Sequence, residues 1–135
     1  MQKTYNLFIS HSWAYSDAYE KLTSLLNNYS YFDYKNYSVP KDDPIHTKGA
    51  DWELAQAIES KVKSCSVVLI LAGVYSTHSK WIKKEITIAQ KLGKSIIAIQ
   101  PWASEKTSQT VKDSADEIVG WNSSSVVNAI REHSP

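Results

Sequence analysis

Two short, unbroken apolar runs constrain this chain more than any other feature: residues 66–72, Ser-Val-Val-Leu-Ile-Leu-Ala, and residues 95–99, Ser-Ile-Ile-Ala-Ile. Neither alternates with polar residues, so neither suits a strand with one face in water. Each suits a strand covered on both faces, which requires helices above and below a parallel sheet. Between the runs lies a stretch of helical periodicity that ends at Gly93, a typical position for the residue that closes a helix. A strand, a helix and a second strand in that order make a right-handed crossover unit.

The remainder of the chain repeats this alternation. Residues 5–10 read as a first strand ending on Ser10-His11-Ser12, and a helix capped by Ser16 carries Tyr19, Leu22, Leu25, Leu26 and Tyr29. Residues 32–39 form an aromatic-rich second strand that Pro40 stops, and residues 40–50, with two prolines and a glycine, form a loop. Asp51 caps a helix with Leu54, Ile58 and Val62 on its apolar face. Residues 103–115 are polar and read as a loop with a weak helix. Residues 117–121 form a last strand, and Ser123 or Ser124 caps a terminal helix with Val126, Val127 and Ile130 inward. The pattern predicts a single α/β domain over residues 1–135: a flavodoxin-like fold whose five parallel strands lie in the order 2-1-3-4-5, with helices on both faces. In that order the ends of strands 1 and 3 flank the topological switch point, where ligands bind.

Composition excludes some functions. At 42% hydrophobic and 21% charged, the chain is an ordinary soluble domain, and 135 residues suffice for a core. A net charge of +1, with no Lys/Arg run longer than two, gives no pull toward nucleic acid or membranes. The one cysteine, Cys65, rules out an internal disulfide and fits a reducing compartment. No signal peptide opens the chain and no apolar run could span a bilayer, so a cytoplasmic location is expected.

One residue is out of place on the helix before the second buried run. On a helix capped at Ser79, Trp81, Ile82, Ile86, Ile88, Ala89 and Leu92 share one face, and Lys83, Lys84, Thr87, Gln90 and Lys91 the other. Glu85 falls in the middle of the apolar face. An unpaired carboxylate buried there costs several kcal/mol, so Glu85 must be neutral, paired or facing a cavity. A structural ion pair is the plain reading. The helix follows strand 3, however, and Ser10, His11 and Ser12 end strand 1, so both features meet at the same crevice. That convergence favours function.

Residue types narrow the chemistry. A phosphoryl-accepting receiver needs carboxylates where this chain has Ser10-His11-Ser12 and Gly73. Gly93-Lys94-Ser95 imitates a phosphate loop but precedes a strand instead of following one. The glycines at 49, 73, 93 and 120 are isolated, which excludes a dinucleotide fingerprint, and no serine-hydrolase elbow is present. His11, His46, His78 and His133 lack metal-ligand spacing, so no metal is expected. What is left is one carboxylate, an indole and hydroxyls. Ordinary glycosides need two carboxyl groups, because the leaving alcohol must be protonated. Nicotinamide in NAD leaves as a neutral amide, so one glutamate can suffice by stabilising an oxocarbenium ion. Trp81, one turn away, offers a flat face to a ring. This chemistry is compatible with NAD without singling it out.

Five segments together resemble the TIR-like domain of Thoeris antiphage proteins of the ThsB type. They are Phe8-Ile9-Ser10-His11-Ser12, residues 36–46, Trp81-Ile82-Lys83-Lys84-Glu85, Pro101-Trp102 and Val119-Gly120-Trp121-Asn122. The resemblance runs the length of the chain and implies a TIR fold, a bacterial immune role and NAD cleavage by Glu85. It implies that ADP-ribose is cyclised or conjugated into a diffusible signal for a separate effector, under a phage-derived trigger, with NAD as substrate and no cofactor. Trp81 would wall the pocket, Ser10 and His11 would contact ribose or phosphate, and Asp43 would reach in from a lid over residues 40–50. A neighbouring copy of the chain often completes such sites, which leaves room for a homo-oligomer. The Arg-Asp…Pro-Gly loop box of animal TIR adaptors is absent, replaced by Pro40-Lys41-Asp42-Asp43-Pro44. Two alternatives stand beside this reading: a non-catalytic TIR module for oligomerisation or docking, and a related nucleoside deoxyribosyltransferase.

Overall fold

The computed structural model of the chain describes residues 4–10, 18–29, 32–37, 51–71, 80–100 and 113–134. They form β1 (Thr4–Ile9), α1 (Ala18–Asn27), β2 (Asp33–Asn36), α2 (Asp51–Lys63), β3 (Val67–Leu71), α3 (Lys80–Lys91), β4 (Ser95–Ile99), β5 (Glu117–Val119) and α4 (Ser123–His133). The strands make one sheet in the order β2-β1-β3-β4-β5, and every neighbouring pair is parallel. This is the flavodoxin-like order the sequence predicts. The residues expected as a loop over 40–50 and the Ser16 and Ser79 caps lie outside the described residues. So does most of the segment 103–115, of which Asp113 and Ser114 are helical.

The buried runs became central strands for a physical reason. Val67 to Leu71 of β3 pair residue for residue with Ser95 to Ile99 of β4. Alternate residues feed two separate cores, because side chains of a strand point to opposite faces. Leu7, Ile9, Val67, Leu69, Ile97, Ile99 and Val119 face Leu22 and Leu26 of α1 and Val126, Val127, Ala129 and Ile130 of α4. Phe8, Val68, Ile70, Ile96 and Ala98 face Ile58 and Val62 of α2 and Ile86 and Ala89 of α3. All of these residues are buried.

Element ends follow local chemistry. Gly93 has φ 69°, and the Lys94 N–H donates to Ala89 O at 2.9 Å while Gly93 N–H donates to Gln90 O at 3.2 Å. These two bonds close α3 as a Schellman motif. The start of α4 differs from expectation. Its cap is Asn122 and neither Ser123 nor Ser124: the Asn122 side chain accepts from Ser125 N–H at 3.1 Å. The last strand also stops at Val119, two residues short of the expected end, because the chain turns at Gly120 with Asn122 N–H donating to Gly120 O at 2.9 Å. Among the described residues no helix is long and apolar enough to cross a membrane.

Candidate active site

The site is built where β1 ends. The Ser10 N–H donates to Leu69 O of β3 at 2.9 Å, extending the β1–β3 ladder by one bond beyond the Ile9↔Leu69 pair. Ser10 lies two residues after Phe8, so period-two alternation turns its side chain to the Phe8 face, which α2 and α3 cover. On α3, Glu85 precedes the buried Ile86 and lies one turn before the buried Ala89, so it belongs to the stripe packed on the sheet. Strand parity and helix period bring the two together. Ser10 Oγ donates to Glu85 Oε1 at 2.8 Å, across 75 residues of sequence.

Both groups are out of water: Glu85 is 0% exposed and Ser10 1%. They are the two polar residues found buried among the described ones. The position matters as much as the contact. After β1 the chain moves to the β2 side of the sheet, and after β3 it moves to the β4 side. The pair therefore lies at the carboxyl ends of the strands, at the point where the strand order reverses. Ser10 thus gives this carboxyl a hydrogen-bond partner where water is excluded.

Not every expected site residue is described. His11 and Asp43 lie outside the described residues. Trp81 is the second residue of α3, on the turn before Glu85, and its side chain lies outside them too. The structure thus brings together Ser10 and Glu85 from the expected set. It also makes a grouping that sequence spacing does not reveal: Glu117, Glu132 and His133 each offer a ligand atom within 4.8 Å of the others. His133 Nε2 is 2.9 Å from Glu117 Oε1, a hydrogen bond that ties the end of α4 to the start of β5. Only the fold could reveal it, since Glu117 and His133 are 16 residues apart.

Comparison with known proteins adds the family. The chain resembles in fold the CMP N-glycosidase BcmB of Clostridium botulinum, with a TM-score of 0.56, 14% identity, and coverage of 93% of this chain and 98% of that one. It also resembles the response regulator domain of Thermotoga maritima CheB, with a TM-score of 0.57, 12% identity, and coverage of 97% and 96%. At these identities the likeness is one of fold. A search of curated proteins finds no match. The family model described as "Thoeris protein ThsB, TIR-like domain" matches residues 8–106, a span that holds both Ser10 and Glu85. The chain belongs to the family of ThsB TIR-like domains.

Proposed function

We propose that this chain is a cytoplasmic NAD-consuming enzyme of bacterial antiphage defence. It cleaves the nicotinamide–ribose bond and turns ADP-ribose into a cyclic or conjugated signal that activates a separate effector. The observation that carries this reading is a fully buried carboxylate at the switch point, in hydrogen-bond contact with the end of β1. The family supports the defence role.

The chemistry follows from one charged group. As the bond from ribose C1′ to the pyridinium nitrogen breaks, the electron pair goes to the nitrogen and positive charge develops on the sugar. An ionised Glu85 beside that carbon stabilises the charge, and no acid is needed because nicotinamide leaves neutral. Trp81 would stack on a ring of the substrate. His11 and Asp43 would hold ribose or phosphate. The burial of Glu85 excludes bulk water, which cyclisation or conjugation requires if water is not to capture the sugar first. It also means that whatever covers Glu85 must move before substrate arrives, in keeping with an enzyme that stays silent until a phage-derived trigger acts.

A second reading has one observation in its favour. BcmB, a protein of like fold, is named for cutting the N-glycosidic bond of CMP. A nucleoside-processing enzyme on this scaffold would use the same lone glutamate on a different base.

The test uses the full chain in extract from phage-infected cells, with NAD and with a panel of nucleotides. Nicotinamide release and product mass are followed by mass spectrometry. Wild type is expected to release nicotinamide and form a new ADP-ribose derivative. Glu85→Gln keeps an oxygen to accept from Ser10 but loses the charge, and its rate should fall by about 10²- to 10³-fold. Full activity in Glu85→Gln sinks the reading, and turnover of another nucleotide in place of NAD moves it to the second.

A further inference from the structure

We propose that Ser10 serves the reaction through Glu85, as a donor that sets the direction of its carboxylate. This rests on the reading of Glu85 as the catalytic carboxylate. Three observations support it. Ser10 is buried together with Glu85, at 1% exposure beside 0%, so bulk water does not compete for the bond between them. Its Oγ donates to Glu85 Oε1 at 2.8 Å. Its backbone is anchored, because β1 is hydrogen-bonded on both edges, to β2 and to β3, and the Ser10 N–H itself is held by Leu69 O.

These facts combine into a mechanical role. Glu85 hangs from α3 by three rotatable bonds; burial restricts them, and a hydrogen bond at the tip restricts the carboxylate further. Ser10 holds it from a different element, one set in the middle of the sheet. Holding Oε1 limits how far the carboxylate can turn. A positioned charge needs no reorganisation as the oxocarbenium ion forms, so an error of about 1 Å can cost about 10²-fold in rate.

Kinetics and stability of the full-length chain test the role together. Ser10→Ala should lower kcat for nicotinamide release by about 10- to 100-fold with KM within about twofold, whereas loss of a substrate contact would raise KM. Ser10→Thr, which restores a hydroxyl, should recover most of kcat. The second measurement needs no substrate: a double-mutant cycle of Ser10→Ala and Glu85→Leu, read by urea unfolding. Ser10→Ala should shift the unfolding equilibrium by about tenfold in wild type and by much less once Glu85 is replaced. An active wild type in which Ser10→Ala raises KM alone, or a cycle in which the two changes simply add, overturns the positioning role and leaves Glu85 in place. A wild type that releases no nicotinamide even in infected extract overturns the NAD reading, and the catalytic role of Ser10 with it.

Discussion

Glu85 and Cys65 are both buried titratable residues on the α2/α3 side of the sheet, yet they meet different partners. Glu85 receives a hydrogen bond from a side chain of another element. Cys65 donates to a backbone acceptor, its Sγ lying 3.0 Å from Lys61 O of the preceding helix. Burial pushes its thiol up from 9.0 to about 12, although the charges of Lys94 and Lys61 pull the other way. The thiolate is the reactive form, so Cys65 is an inert core residue. A thiol reagent such as DTNB should leave it untouched at pH 8 in the folded protein and react at once in urea. The raised value also has a consequence for stability. Below about pH 9 the thiol is protonated in both states and its burial contributes fully. As pH rises from about 9 through about 12, the unfolded chain loses the proton first and that contribution disappears. The urea midpoint of wild type should therefore fall more steeply than that of Cys65→Ala over this range.

The ends of elements show what local sequence can and cannot specify. Gly93 was recognisable as the close of α3 because a positive φ there favours glycine, and the observed φ of 69° bears this out. No heavy atom lies within 4 Å of a Cβ built at Gly93, so Gly93→Ala should cost about 1 kcal/mol through backbone strain alone. Asn122 is the cap where the sequence predicts Ser123 or Ser124; its backbone is in the β region and its side chain accepts from Ser125 N–H. Asn122→Ala should cost about 1 kcal/mol and Ser123→Ala much less, both measurable by chemical denaturation. The same division governs the site. That Glu85 faces the sheet was legible from helix period, and that β1 ends near it from strand order. The identity of the donor was not. Nothing local links residue 10 to residue 85, and the bond exists because strand parity and crossover geometry place both at one spot.

At the scale of the whole molecule, the two faces of the sheet divide the labour. Both faces carry a hydrophobic core, and the α2/α3 face adds the buried Ser10–Glu85 pair to its own, while the α1/α4 face is packed around Leu22, Leu26 and Ile130. The family match ends at residue 106, before β5 and α4 begin, but the packing does not end there. Val119 of β5 is 7% exposed, Val126, Val127 and Ile130 of α4 are 0% and Ala129 1%, and all belong to the core that holds β1, β3 and β4. Each Val or Ile buried in this way contributes roughly 1.5–3 kcal/mol, so losing those of α4 alone would remove roughly 5–9 kcal/mol. A domain of this size has only about 5–15 kcal/mol of net stability. Deleting residues 113–135 should therefore abolish cooperative unfolding and expose the outer face of β4 and β1, with a large gain in ANS fluorescence. A single Ile130→Ala change should cost about 2–5 kcal/mol while leaving the fold intact. Since Ile130 lies across the sheet from Glu85, the folded fraction of Ile130→Ala should keep the wild-type kcat of the proposed nicotinamide release. A truncated chain that unfolds cooperatively near the wild-type midpoint would show that residues 113–135 are an appendage and not part of the core.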